Sequence, residues 1–294
     1  MEEIKAINKQ TFGQKMKSFK RRPFSLFLAI IVILAAVITV AVLGFLVVYI
    51  LVNGVPYLKP SLFEWKYTTD NVSMMPAIMN TLFMVVVSLV ISVPLGVFAA
   101  IYLAEYARRG NKFVKLIRVT AETLSGIPSI VYGLFGMLFF VNFMNIGKSI
   151  LAGALTLAIM VLPTVMRTTE EALLAVPDSY REGSYGLGAG KLRTVFKIVL
   201  PPAVPGILSG VILSVGRMVG ETAALLYTST SATKMATSLM DPGRTLAVHM
   251  YVLSGEALYV NEANATAVVL LVMVIIINAL STWVAKKVGV KTVD

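Results

Sequence analysis

Apolar stretches of roughly 20 residues recur along the chain between short polar connections, and a helix of that length spans the hydrocarbon of a bilayer. The runs fall at about 25–52, 77–106, 120–143, 150–166, 203–227 and 263–284. They predict an all-α polytopic membrane protein with six transmembrane helices. The first run follows seven basic residues, Lys5, Lys9, Lys15, Lys17, Lys20, Arg21 and Arg22, as the core of a signal peptide would. Signal cores span only about 7 to 15 residues, and no convincing small-residue cleavage site follows this run, so it reads as a retained span.

Composition supports the pattern. Of 294 residues, 57% are hydrophobic and 14% charged, against about 25% charged in a soluble domain. The chain has no cysteine, which excludes a disulfide framework, a thiolate metal site and a cysteine nucleophile. The single histidine, His249, leaves no partner for a histidine-based metal cluster and reads as a surface residue of an outer loop. A net charge of +11 could signal nucleic acid in a soluble protein. Here the bases flank apolar runs, which makes them orientation signals and leaves no case for a nucleic-acid partner.

Their distribution tests the six-span reading. The N-terminal bases, Arg108, Arg109, Lys112, Lys115, Arg118, Arg167, Arg181, Lys191, Arg193, Lys197, Lys286, Lys287 and Lys291 all fall on one side, and only Lys59, Lys66, Lys148, Lys234 and Arg244 on the other. The basic side is expected to be cytoplasmic, together with both termini. This gives a basic cytoplasmic segment at 1–24 and a six-helix permease-like domain at 25–294 in a bacterial or archaeal cytoplasmic membrane. Two outer connections, 53–76 and 228–262, read either as solvated loops or as elements that cap a pathway or meet an external partner.

The inner segment 170–201 is the most informative. Pro177 and Asp178 suit a helix start, Gly186, Gly188 and Gly190 a tight turn, and Pro201-Pro202 a stop. Between them Leu192, Val195, Phe196 and Val199 recur at helical spacing as one apolar stripe beside Lys191, Arg193 and Lys197. Such a helix either lies on the bilayer or docks in a groove. Gly186 to Lys191 superficially resembles a phosphate-binding loop, but Tyr185 and Leu192 stand where that motif needs a glycine and a Ser or Thr. No nucleotide site is evident in this chain.

Glu182-Gly183-Ser184, then Gly188, then Ile198, Leu200 and Pro201 match the EAA loop of ABC importer permeases, with Gly183 and Ser184 standing where that pattern has alanines. The resemblance implies that these residues form coupling helices that dock on a separate ATPase, in the six-helix MetI-like fold of type I importers. The permease core would then cover about 76–285. Three further stretches, Thr123 to Gly133, Gly216 to Ala223 and Leu246 to Tyr251, resemble the PstA-type permeases of phosphate-specific ABC transporters. This implies a PstC-like second permease, two PstB-like ATPase subunits carrying ATP and Mg, and an extracytoplasmic PstS-like phosphate-binding protein, with no cofactor in this chain. It also implies that Arg217, Glu221 and Arg167 serve phosphate passage.

The residues themselves leave alternatives. Arg217 falls near the middle of the fifth run, where insertion of an arginine costs about 2.5 to 3.5 kcal/mol, so it should face the bundle interior or a wet cavity. Glu221, four residues on, either pairs with it internally or steadies a guanidinium that meets an anion. Glu122 sits either in the interface or on the inner pathway. Gly126 and Pro128 break or kink the third run and either form part of a gate or do not. Competing functions are a same-fold permease for another oxyanion or small solute, or a self-contained secondary transporter or channel.

Overall fold

The computed structural model describes residues 23–108, 110–255 and 258–289. The seven N-terminal bases, Arg109 and Lys291 lie outside the described residues. The chain divides into two compact units, 1–52 and 53–294. The first consists, among its described residues, of α1 (Pro23–Gly54), which opens on proline and is apolar on all sides rather than along one stripe.

The second unit is helical throughout. Two 3-10 turns (Val55–Tyr57, Pro60–Phe63) precede α2 (Met75–Ile101), which runs on through a π-helical turn to Tyr106. Then come α3 (Lys112–Ser125), α4 (Ser129–Gly136, continued as a π turn to Phe143) and α5 (Ile150–Leu174). The coupling segment supplies α6 (Asp178–Gly186) and α7 (Lys191–Thr194), which passes through a π turn (Val195–Val199) into α8 (Leu200–Val219). The remainder is α9 (Ala223–Thr228), α10 (Leu246–Gly255) and α11 (Val260–Gly289). Among the described residues five helices are long and apolar enough to cross a membrane, and the bent pair α3–α4 makes a sixth if counted as one span.

Helix α5 is the axis of the second unit. Leu157, Met160, Val161 and Val165 are fully enclosed by side chains from α2, α8 and α9. Lipid offers no hydrophobic drive for helices to associate, so close packing must supply it, and small residues make close packing possible. Gly206 and Gly210, one turn apart on α8, press against α5: a Cβ at Gly206 would lie 2.6 Å from that of Ala172, and one at Gly210 would collide with the Thr168 hydroxyl. On the opposite flank Gly96 meets Val165, and Ser88 Oγ donates to the Ala154 carbonyl at 3.1 Å across the α2–α5 seam. The Gly206-xxx-Gly210 pattern was readable in the sequence as a packing motif.

Three expectations change. The third run is broken: α3 and α4 meet at 103° across Gly126-Ile127-Pro128, so it forms a bent pair rather than one straight helix. Pro201-Pro202 does not stop a helix. Both prolines fall where the π turn (Val195–Val199) passes into α8, and the helix carries on from Lys191 to Val219 without the two N–H groups that proline lacks. The fifth span therefore starts earlier than expected and ends at Val219, which puts Arg217 in its last turn rather than its middle.

The connection 228–262 is not a solvated loop; it folds back over the helix ends. The first backbone donors of α5 all find acceptors: Ile150 N–H donates to the Asp241 carbonyl (2.9 Å), Leu151 N–H to that of Leu239 (2.8 Å) and Ala152 N–H to the Ser149 hydroxyl (3.2 Å). Asn80, buried on α2, donates to the carbonyls of Lys234 and Arg244 and accepts from Ala236 N–H. Thr81 Oγ1 accepts from Leu246 N–H, the first donor of α10. These bonds bury the near half of α10, including His249, which is enclosed against the edge of the Tyr67 ring rather than exposed.

Candidate functional site

At the opposite end of α5 the coupling segment makes two short helices joined by a turn at Gly188, whose φ of +77° favours glycine. Ser184 and Thr194 hydroxyls bridge them at 2.8 Å. The expected apolar stripe splits. Val195 and Val199 are fully buried against Ile101, Leu173 and Val176, whereas Leu192 and Phe196 face outward, because the π turn shifts the register within the helix. The outward surface consists instead of Tyr180, Tyr185, Leu187 and Leu192, with Leu187 91% exposed. Cβ atoms placed at Gly183, Gly186, Gly188 or Gly190 would meet nothing within 4 Å. Glu182 and Ile198 are exposed, Ser184 is buried, and Leu200 and Pro201 are partly covered where α7 merges into α8.

One residue that sequence reasoning treated only as an orientation charge fixes this segment. Arg181 contacts Glu105 at 2.7 Å, donates to the carbonyls of Val176 (2.7 Å) and Leu173 (2.8 Å), and reaches Asp178 at 3.3 Å. The Glu105 side chain is only 4% exposed. The guanidinium thus satisfies the terminal carbonyls of α5 and the buried carboxylate of the π turn after α2 together. The Glu105 hydrogen bond is the main cause that raises the Arg181 pKa above the ordinary guanidinium value. No local pattern links positions 105 and 181.

Two further ion pairs tie α3 to α5. Arg118 contacts Glu170 at 2.6 Å, and Arg167 contacts Glu171 at 3.0 Å and Glu122 at 3.6 Å. Glu122 and Arg167 therefore belong together, on the wall of a cleft of about 290 Å³ between α3 and α5. Both are more than half exposed, so water screens the pair and holds it weak.

The second candidate site is the junction of the two broken spans. Gly126-Ile127-Pro128 ends α3, and the Tyr132 hydroxyl donates back to the Leu124 carbonyl at 2.8 Å, satisfying an acceptor that the break frees. Gly133 then presses against α9: a Cβ there would lie 2.7 Å from Ala224 Cα. Gly136 is equally tight against Thr156 and Thr228. The stretches around Gly126 and around Arg217, far apart in sequence, are thus brought together, and the charge of Arg217 is felt at the Tyr132 hydroxyl.

The expected Arg217–Glu221 pair does not form. The helix ends between them at Gly220, which removes the i, i+4 geometry, and the Glu221 carboxylate turns to accept from Ala224 N–H at 3.1 Å, capping α9. Glu221 is buried, and Arg217, half-buried, has no carboxylate within ion-pair distance among the described residues. The C-terminal dipole of α8 favours the guanidinium where it stands. A partly desolvated arginine with uncommitted donors is suited to an oxyanion. Among the described residues no group of three or more His, Cys, Asp or Glu could hold a metal ion.

Residues 92–291 match the family model described as binding-protein-dependent transport system inner membrane component. The chain is 34% identical over 273 residues to the probable ABC transporter permease protein YqgI of Bacillus subtilis, an alignment covering 85% of this chain and 91% of that protein. It is 40% identical over 200 residues to the phosphate transport system permease protein PstA of Yersinia pestis, covering 67% of each. It spans about half the length of the mycobacterial PstA proteins that it also matches. Among solved structures, an inward-facing form of the MetNI methionine ABC transporter aligns with a TM-score of 0.55 at 22% identity, over 73% of this chain and 94% of that one. At that identity the likeness concerns the fold: an all-helical permease of the MetI type.

Proposed function

The chain belongs to the family of binding-protein-dependent transport system inner membrane components, and from that premise we propose that it is the permease subunit of an ATP-driven importer of inorganic phosphate. It is a multi-pass membrane protein. The proposed orientation puts the coupling segment and both termini in the cytoplasm, following the distribution of Lys and Arg. The division into a basic segment at 1–24 and a permease domain at 25–294, with its core at about 76–285, is kept as part of this reading.

The observation that carries the proposal is the unpaired Arg217 at a junction built from two broken helices. Phosphate is a tetrahedral oxyanion, and a guanidinium offers it several donors without a covalent step. Glu221, held as a cap on α9, sits close enough in sequence to limit how tightly an anion is retained. Arg167, loosely paired to Glu122 and Glu171, supplies a second cation toward the coupling face. The breaks at Gly126 and Pro128 and at Gly220 give two places where helices can pivot, so closure of the ATPases could shift the bundle between its two openings by rigid-body motion. The PstA relatives support phosphate over other oxyanions.

The coupling role is assigned to Glu182, Gly183, Ser184, Gly188, Ile198, Leu200 and Pro201. The exposed apolar surface beside them and the open space around the glycines fit insertion into a groove on a partner. The partners proposed are a PstC-like second permease, two PstB-like ATPases holding ATP and Mg, and a PstS-like phosphate-binding protein outside. No catalytic residue is assigned to this chain.

The test is the complete complex, isolated with its natural partners and placed in proteoliposomes. Phosphate uptake should require ATP and all subunits, and sulfate should compete poorly. Phosphate movement by this chain alone, with 178–199 deleted, would overturn the proposal.

A further inference from the structure

We propose that the cleft of about 750 Å³ between the end of α2, the start of α3 and the coupling segment is a binding site for a phosphate group, distinct from the transport pathway at Arg217. Its basic wall carries Arg108, Lys115, Arg118, Arg181 and Lys191. Two of these charges are already spent: Arg181 on Glu105 and Asp178, and Arg118 on Glu170. Arg108, Lys115 and Lys191 remain, and none has a carboxylate within ion-pair distance among the described residues.

Against these five cations stand three carboxylates, Glu105, Asp178 and Glu170, so the concavity keeps a net positive charge that a compact polyanion relieves. The Lys191 ammonium is held 4.8 Å from the centre of the Tyr106 ring, so one cation is fixed at the wall before any ligand arrives. Helix α3 opens at the same rim. Gly110 and Asn111 line the cleft, and the Asn111 side chain accepts from Phe113 N–H, so the first turn of α3 is capped from within and Arg108, Lys115 and Lys191 carry the attraction. The cleft lies where α2 leaves its apolar run, so a phospholipid headgroup and a dissolved phosphate can both reach it, and basic pockets at that level suit either. Arg181 and Lys191 belong to the coupling segment, so an anion bound here braces that segment against α2 and α3.

The test uses the full chain purified in maltoside detergent. One arm titrates phosphatidylglycerol against phosphatidylcholine by native mass spectrometry. The other measures binding of labelled inorganic phosphate to an Arg217→Gln protein, which removes the pathway contact. In each arm Arg108→Gln with Lys115→Gln should weaken binding roughly 30-fold, two cations at about fivefold each. The charge-conserving pair Arg108→Lys with Lys115→Arg should retain it, which separates charge from folding. Selective phosphatidylglycerol binding lost in the neutral variant would identify a lipid headgroup, and inorganic phosphate binding lost in it would identify the free anion. Binding of neither probe, or binding equal in the neutral variant and its parent, would overturn the proposal.

Discussion

Two connections between spans, 229–255 and 175–199, leave the apolar helices at opposite ends of α5 and solve the same problem in different ways. The first closes on itself. Its backbone caps α5, its loop is tied to Asn80 and Thr81, and it buries Arg244 and His249. The second is pinned at its base by one buried ion pair and then presents Tyr180, Tyr185, Leu187 and Leu192 outward, beside glycines with empty space around them. A segment whose backbone is tied at several points to the helix ends is held in place by its own chain, even where it leaves Met235, Leu239, Met240 and Tyr251 exposed. A segment that spends its charge on anchoring and leaves apolar surface uncovered is built to be completed by a partner.

The largest expected effect lies at the anchor. Arg181→Ala leaves Glu105 buried without its partner, and loss of one member of such a pair costs about 3 to 5 kcal/mol. The change should loosen 175–199 while leaving 229–255 untouched, which hydrogen exchange resolved by peptide would record. Equal loosening at both ends would mean that the two connections are not independent.

Next comes acid sensitivity at the other end. Burial, then the nearby Arg244 charge, push the His249 pKa down to about 3 from an ordinary value near 6.5. The unfolded chain takes up this proton below pH 6.5 and the folded cap does not, so the stability is complete above 6.5 and is lost as pH falls toward 3. At pH 5 the loss is about 2 kcal/mol. Thermal melting of wild type and His249→Leu at pH 7.5 and 5.0 should show the shift in wild type alone, and a shift of equal size in His249→Leu would assign it elsewhere.

A smaller effect is expected from Gly188→Ala, which places a Cβ in a left-handed backbone at a cost of about 1 kcal/mol. Because that Cβ would meet nothing else in this chain, the loss should be local to the α6–α7 turn. Recovery of partner ATPase with the chain should fall further than stability does; unchanged recovery would count against a coupling role for the turn.

These differences bear on what the sequence reveals. The break at Gly126-Ile127-Pro128 was legible because glycine and proline act on their own neighbours, and the turn at Gly188 because its glycines follow a fixed spacing, whereas the end at Gly220 lies inside a run that is apolar on both sides of it. Gly206 and Gly210 were equally local and were simply not read. The rest depends on tertiary context. Arg181 and Glu105 meet only because α2 and α5 pack along Gly96. The π turn that splits Val195 and Val199 from Leu192 and Phe196 has no local mark, and Pro201-Pro202 looks like a stop until the turn before it carries the helix through. His249 looks exposed in any loop reading, since nothing near it in sequence announces that Asn80 and Thr81 will fold the loop inward. Glu221 stands four residues beyond Arg217, the spacing of an ion pair on one helix, and no pair forms because the helix between them ends.

The central claim is that Arg217, left without a carboxylate by that ending, meets the transported oxyanion. Its most direct test is the initial rate of ATP-dependent phosphate uptake by the assembled complex carrying Arg217→Gln, normalised to complex recovered. Loss of a charged hydrogen-bond donor to phosphate should lower the rate at least about tenfold, with assembly and basal ATP hydrolysis retained. Uptake at the wild-type rate by that variant would contradict the account.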